Sequence, residues 1–336
     1  MTKQQDDEFP PIWTELKLPS LLFRDSVQKI HARIEAEWDP LQRTACQTAA
    51  GRALWKHVTN DMLAELLAGR NQLTSFYEKI RRDCLNRAHE VSGVILAVRT
   101  LWFDSKLDAA VSFFNNNEML QVVLLGAGMD TRAYRLKCLT NSHVFEVDFP
   151  QVLQMKASLL QEAIIPREDQ QDMEMKAKKL TSVEADIKGQ DWHEKLLNSG
   201  FQPQKNTVWI LEGLLYYLSN CDAINVLKTI ASHCTLSTTV VLADFMNKQS
   251  TMLSNSTFQF YCDYPDELLP SLGFSNVELS QIGDPDAHFG LLDDPMNMFN
   301  KLRNIPRSVE VNPEDGTPCC RLYLVQASGS PSKTSN

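Results

Sequence analysis

The chain has no Gly-Lys-Ser/Thr phosphate loop, no Cys-x-x-Cys pair, no Gly-x-Ser-x-Gly elbow and no apolar run long enough to cross a bilayer. Each absence removes a class. A nucleoside triphosphate has no phosphate cradle, a serine hydrolase has no exposed nucleophile at a strand-to-helix turn, and no membrane-spanning helix is expected. The eight cysteines are scattered. Their one adjacent pair, Cys319-Cys320, reads as two neighbours at the start of a strand, so neither a disulfide frame nor a zinc site is expected. The seven histidines have no metal-ligand spacing to each other or to cysteine. Dense basic runs are missing too. With 33 Lys/Arg against 42 Asp/Glu the net charge is -9, which is the wrong sign for a nucleic-acid surface. The opening residues, Met-Thr-Lys-Gln-Gln-Asp-Asp-Glu, are acidic and polar, unlike a signal or transit peptide. A cytoplasmic protein without membrane or nucleic-acid partners is expected.

What is present describes an ordinary globular chain, 43% hydrophobic and 22% charged, long enough at 336 residues for one large α/β domain with an elaboration. Its first 120 residues read as helical. Val27, Ile30 and Ile34, then Met62, Leu63, Leu66 and Leu67, then Val94, Val98 and Leu101 have helical spacing, punctuated by Pro40 and Gly69. From residue 121 short apolar runs alternate with helices, and strands are expected near 121–125, 143–147, 182–186, 207–212, 237–244, 276–281 and 320–326. This alternation predicts a Rossmann-like α/β fold, a seven-stranded, mostly parallel sheet with helices on both faces and an N-terminal helical cap. The expected division is a poorly defined segment 1–20, a cap 21–118, a ligand-binding domain 119–327 and a disordered tail 328–336. Pro150 suits a first helical position, and Ser219 with Asp222 and Asp191 with Glu194 have capping-box spacing. The Asp-, Pro- and Asn-rich stretch 284–317 is expected as an insertion at the rim of the site.

Residues 122–136, Val-Val-Leu-Leu-Gly-Ala-Gly-Met-Asp-Thr-Arg-Ala-Tyr-Arg-Leu, describe a buried strand that stops above a ligand. Gly126 and Gly128 permit a sharp turn and close approach of backbone N–H groups, and Asp130 and Thr131 offer helix caps. Asp148 follows Gly128 by twenty residues, at the end of Val-Phe-Glu-Val-Asp, where a carboxylate meets the two hydroxyls of a ribose. A dinucleotide loop calls for a third glycine where Thr131 stands. A ligand with a ribose and no phosphate, such as S-adenosyl-L-methionine, fits this pattern better.

Glu212 interrupts one of the most apolar stretches present, Val-Trp-Ile-Leu-Glu-Gly-Leu-Leu-Tyr-Tyr-Leu. Burying it unpaired would cost several kcal/mol, so it should face a cleft or a cation at the carboxyl end of the fourth strand. Asp186 ends the third strand, either accepting from an adenine amino group while Ile187 packs on the ring, or serving as a turn aspartate. Arg99 on an apolar helix face either holds the ligand's carboxylate or is solvated. Arg132 and Arg135, flanking Tyr134, read as helix-surface groups or as substrate contacts.

Four segments, Leu-Leu-Gly-Ala-Gly-Met-Asp-Thr-Arg-Ala-Tyr-Arg-Leu (124–136), Val-Phe-Glu-Val-Asp-Phe-Pro (144–150), Ala-Asp-Ile (185–187) and Leu-Glu-Gly-Leu-Leu-Tyr-Tyr-Leu (211–218), resemble in that order the motifs of the leucine carboxyl methyltransferase family. The resemblance covers residues 85–245 well. It implies a class I methyltransferase fold using S-adenosyl-L-methionine, with cofactor contacts at Arg99, Gly126, Asp148, Asp186, Ile187 and Glu212. Asp-Thr-Arg-Ala-Tyr-Arg-Leu is closer to the broad branch of O-methyltransferases, including polyketide carboxyl methyltransferases, than to the phosphatase-directed enzymes. Lys188 stands where those carry an arginine, a departure that counts against a peptide α-carboxylate. The family's N-terminal lysine motif has no recognisable counterpart.

The expected reaction is methyl transfer to an oxygen acceptor, most simply a carboxylate of a small molecule or protein terminus, which needs no general base. Lys188 and Tyr217 are the expected substrate contacts, and no metal is expected. A phenol or alcohol would need a base that the sequence does not name. A nicotinamide-dependent oxidoreductase and a non-catalytic adenosyl-ligand binding protein are the alternatives.

Overall fold

The computed structural model describes residues 15–114, 118–164, 174–252 and 257–331. In chain order it holds α1 (Asp25–Glu37), α2 (Pro40–Leu54), α3 (Lys56–Thr59), α4 (Ala64–Leu85), α5 (Val94–Phe113), β1 (Leu120–Leu125), α6 (Arg132–Arg135), β2 (Ser142–Asp148), α7 (Pro150–Ile164), β3 (Lys179–Glu184), α8 (Trp192–Asn198), β4 (Thr207–Leu211), α9 (Asn220–Ser232), β5 (Thr239–Met246), α10 (Lys248–Thr251), α11 (Pro265–Leu272), β6 (Asn276–Gln281), α12 (Met298–Arg303) and β7 (Leu322–Gly329).

Every residue of β1, β2 and β4 is buried, because these strands lie inside a parallel sheet covered on both faces. The strands are ordered β3-β2-β1-β4-β5-β7-β6. The first five run parallel, and β7 is inserted antiparallel to both β5 and β6. This is the expected seven-stranded, mostly parallel Rossmann-like sheet. Its connections reverse direction between β1 and β4, which opens a crevice at the strands' carboxyl ends.

Val98, Trp102, Phe103 and Leu107 of α5 pack on one face, and α8, α9 and α11 enclose Trp209, Phe245 and Leu227 on the other. A third core, with Ile34, Ala49, Leu66 and Leu67, joins the N-terminal helices to Val152, Met155 and Leu159 of α7 and to Met129 in the loop after β1. The cap is therefore fastened beside the crevice.

Several boundaries differ from those expected. The edge strand β3 starts at Lys179, three residues early, because with one neighbour and a half-exposed face it needs no continuous apolar run. Asp186 accordingly lies beyond the strand. Helix α5, expected within the cap, packs on the sheet through Val98, Trp102, Phe103 and Leu107. The strand β7 continues to Gly329, opposite Thr239, where a disordered tail was expected to begin at 328; residues 332–336, like 1–14, lie outside the described residues. Met62 is exposed, one residue ahead of the cap of α4. Gly69 interrupts α4 with φ 76, so it does punctuate the helix. Ser219 caps α9 by accepting from the Asp222 N–H at 3.1 Å. Asp191 caps nothing, since its carboxylate turns to Lys195 at 2.8 Å. Residues 284–317 pack through Ala287, Leu292 and Phe299 on the α5 side of the sheet, and none of them lines the crevice. The expected rim position is thus corrected.

Under α8, His193 and His233 share a hydrogen bond, Nε2 to Nε2, of 2.9 Å among Trp192, Phe201 and Trp209. Burial, with His193 close by, depresses His233 to about 4. Its folded value lies below its unfolded value near 6.5, so the stability it contributes is complete above that pH and is lost as pH falls towards 4. Urea unfolding should lose about 1 to 2 kcal/mol between pH 7 and 5 from this pair, after allowance for solvent screening. His233→Phe should flatten that slope; an equally steep slope would assign the acid sensitivity elsewhere.

Candidate active site

A crevice lies at the carboxyl ends of β1, β2 and β4, beneath α2. It is bordered by every predicted ligand residue: Arg99, Gly126, Asp148, Asp186, Ile187 and Glu212, together with Lys188 and Tyr217.

After β1 the chain turns through Gly126 at φ 68 and Gly128 at φ 47, a region in which side chains strain the backbone. A Cβ on Gly128 would stand 3.2 Å from that of Ala45, so the missing side chain lets α2 sit directly on the turn. Asp148 is held from two sides. Its Oδ2 accepts from the Gly128 N–H at 2.6 Å and its Oδ1 from the Phe149 N–H at 2.7 Å. Each oxygen keeps a lone pair for a further donor. Burial pushes this carboxyl above its usual range, against the pull of the two N–H groups.

Asp130 and Thr131 do not cap a helix as expected. Asp130 accepts from the Arg132 N–H at 2.7 Å and from its guanidinium, while Thr131 donates to Asp61 at 2.7 Å. Asp186 is the turn aspartate: its Oδ1 accepts from the Lys188 N–H at 2.9 Å. It still borders the crevice beside buried Ile187, with its second oxygen unbonded among the described residues.

Glu212 follows directly on β4 and meets cations that the protein itself supplies. Arg99 Nε donates to its Oε1 at 3.0 Å, and Arg132 Nη2 contacts its Oε2 at 2.6 Å. Burial resists ionisation there, but Arg132 and Arg99 outweigh it and hold the carboxyl below the ordinary range. Arg99 is not solvated. Its Nη1 donates to the Tyr216 hydroxyl at 3.0 Å and to Asp244 at 3.1 Å, and its Nη2 makes no hydrogen bond among the described residues. Neither Arg132 nor Arg135 is a surface group or a crevice contact. Arg132 Nε donates to Asp104 at 2.7 Å, and Arg135 forks onto the same carboxylate.

Sequence reasoning missed Asp244, Asp104, Asp61 and Arg52. Asp244 lies inside a buried strand, and Asp104 lies in an apolar helix. The signal that singled out Glu212, an acid within apolar surroundings, was available for both. Arg52 carried none, because its partners Asp61 (2.8 Å) and the Met129 carbonyl meet it only through folding. Arg52, Thr44 and Thr48 of α2 form the roof, with Tyr217 also on the border. Among the described residues no histidine or cysteine borders the crevice, and no group of acids, histidines and cysteines could hold a metal.

Comparison with known proteins matches residues 45–231 to the leucine carboxyl methyltransferase family. A protein of Parafrankia sp. (strain EAN1pec) named a putative S-adenosyl-L-methionine-dependent methyltransferase is 36% identical over 142 residues, 42% of this chain and 41% of that protein. One of the same description from Mycobacterium leprae (strain TN) is 38% identical over 136 residues, 40% of each. The match thus spans about two-fifths of these curated relatives. The crystal structure of a DUF574 family protein from Streptomyces avermitilis overlaps 78% of this chain and 94% of its own, at 12% identity and a TM-score of 0.47. With more than half its length matched, in the order that its four motifs follow, the chain belongs to the leucine carboxyl methyltransferase family.

Proposed function

We propose that the crevice binds S-adenosyl-L-methionine and that the protein transfers its methyl group to the oxygen of a carboxylate. The observation that carries the cofactor reading is charge. Asp61, Asp104, Asp130, Asp148, Glu212 and Asp244 stand around Arg52, Arg99, Arg132 and Arg135, so carboxylates outnumber guanidiniums at the crevice and directly behind it. A ligand with sulfonium and ammonium groups against a single carboxylate offsets part of that excess; a pyrophosphate would add to it. This disfavours a nicotinamide dinucleotide. The glycine turn gives room for the nucleoside, Asp148 accepts from the ribose hydroxyls, Ile187 packs on the base, and Arg99 Nη2 with Arg52 faces the ligand's carboxylate.

When bound, the cofactor supplies an electrophilic methyl: an acceptor oxygen pair forms the O–C bond while the C–S pair returns to sulfur. The protein need not remove a proton if the acceptor is already ionised. Two lining tyrosines and three of the four lining acids are poorly suited to remove one, and the fourth acid, Asp186, stands beside Ile187 on the base's side. Burial raises the phenols of Tyr216 and Tyr217, and the lining acids Asp130, Asp148 and Glu212 already accept protein donors. This favours a carboxylate of a small molecule or protein terminus over an alcohol or phenol. Catalysis then rests on alignment and exclusion of water beneath α2, with Lys188 and Tyr217 at the acceptor's side.

Labelled cofactor offered with small carboxylic acids, phenols and carboxyl-terminal peptides tests this reading. Base-labile methyl esters are expected, and label found only on phenols would reject the acceptor class. Calorimetric titration with NAD and S-adenosyl-L-methionine separates the cofactors. Asp148→Ala should weaken S-adenosyl-L-methionine binding by about 1 to 3 kcal/mol, and an unchanged dissociation constant would remove the ribose assignment.

A further inference from the structure

Asp104 sits in α5 and does not border the crevice, yet it joins two arginines that lie beneath it. Its Oδ1 accepts from Arg132 Nε at 2.7 Å and from Arg135 Nη2 at 2.9 Å, and its Oδ2 accepts from Arg135 Nη1. The three side chains are 14%, 2% and 10% exposed, so solvent screens them little. Arg132 meets three carboxylates, and only one of them, Glu212 at 2.6 Å, comes from the chain just after β4. With Nε fixed on Asp104 and Nη1 on Asp130, the direction in which Nη2 meets Glu212 is set from behind. Arg135 has no crevice partner; Asp104 holds its fork, and its Nε donates to Thr131 at 3.2 Å.

Resting on the cofactor reading above, we propose that Asp104 is a positioning residue that neutralises Arg132 and Arg135 from behind, keeps the crevice floor negative, and thereby makes the site prefer the sulfonium donor over its neutral sulfide product. Donor and product differ by one methyl group and one positive charge on sulfur. A negative floor lowers the free energy of the charged species alone. Loss of that charge on transfer weakens the hold on the product, which aids its release.

The test is the pair of dissociation constants for S-adenosyl-L-methionine and S-adenosylhomocysteine, measured calorimetrically on the full chain. Asp104→Asn should raise the donor's constant about three- to tenfold more than the product's. Arg135→Gln removes a positive charge from the same cluster and should move the ratio the opposite way. The double variant should return the ratio to within about twofold of the wild type, and Asp104→Glu should keep it there. Lost packing alone would weaken both ligands alike and would not be corrected by the second substitution. A ratio that stays put in both single variants overturns the proposal. Should Asp104→Asn fail to fold, the direction given by Arg135→Gln decides. Wild-type protein that binds neither ligand overturns the cofactor reading as well, whereas binding of both with an unmoved ratio overturns only the role of Asp104.

Discussion

Replacing Glu212 with glutamine should lower the unfolding free energy by about 3 kcal/mol and weaken S-adenosyl-L-methionine binding at least about tenfold. The stability loss follows from what remains. Arg99 Nε loses a charged acceptor at 3.0 Å and Arg132 Nη2 an ion-pair contact at 2.6 Å, in a place where the two guanidinium side chains are 8% and 2% exposed. Neither arginine can shed its proton, so two buried cations face each other across a neutral amide. Asp244, Asp104 and Asp130 keep them partly compensated, which is why the expected loss lies at the lower end of that seen when a buried pair is broken. The binding loss follows from removing one negative charge from the crevice itself. The pH dependence has a definite sign. Glu212 has a folded value below its unfolded one, because Arg132 and Arg99 overcome the burial that opposes ionisation. Its contribution is present above the unfolded value and is lost as pH falls through the folded one. Urea titrations at pH 7 and pH 4 should therefore show the gap between wild type and variant narrowing in acid. A variant as stable as the wild type at pH 7 would mean that the arginines do not depend on this acid.

The central architecture was legible because it is written in residues that need only their neighbours. Val122 to Leu125 are apolar without interruption since both their faces are covered, and Gly126 and Gly128 mark the bend because a side chain there is strained by positive φ and crowded by Leu214 and Ala45. Glu212 announced itself by chemical contrast with the strand before it. What the sequence hid was partnership. Glu212 was expected to face a cleft or a cation and does both, but nothing in its neighbourhood named the cations as Arg99, 113 positions earlier, and Arg132. Arg132 and Arg135 carried the spacing of exposed helix residues, yet α6 is a single turn that points both inward at Asp104. Charge alternation along a sequence does not reveal which acid waits on another element. The late stretch 284–317 was misplaced for a related reason: its polarity suggested a rim, while Leu292 and Phe299, few but well separated, anchor it behind α5.

Lys156→Met should be the most destabilising single change outside the crevice, at about 3 to 5 kcal/mol. Lys156 on α7 and Glu146 on β2 meet at 2.8 Å with side chains 2% and 3% exposed, so the methionine fits the lysine's path but leaves a buried carboxylate without its cation and with Asp130 and Asp148 nearby. Burial already raises the Glu146 carboxyl, with Lys156 opposing that rise. Without the lysine the carboxyl rises further, and the variant folds by taking up a proton. A folded value above the unfolded one contributes stability below the unfolded value and loses it as pH rises. The deficit of the variant should therefore be small at pH 5 and greatest at pH 9. Pairing the change with Glu146→Leu removes the stranded acid and should recover most of the loss, since two apolar side chains need no counter-charge. Urea unfolding of both variants at the two pH values decides the matter. A single variant equally stable at pH 5 and pH 9 would show that Glu146 is not the buried charge whose neutralisation Lys156 provides.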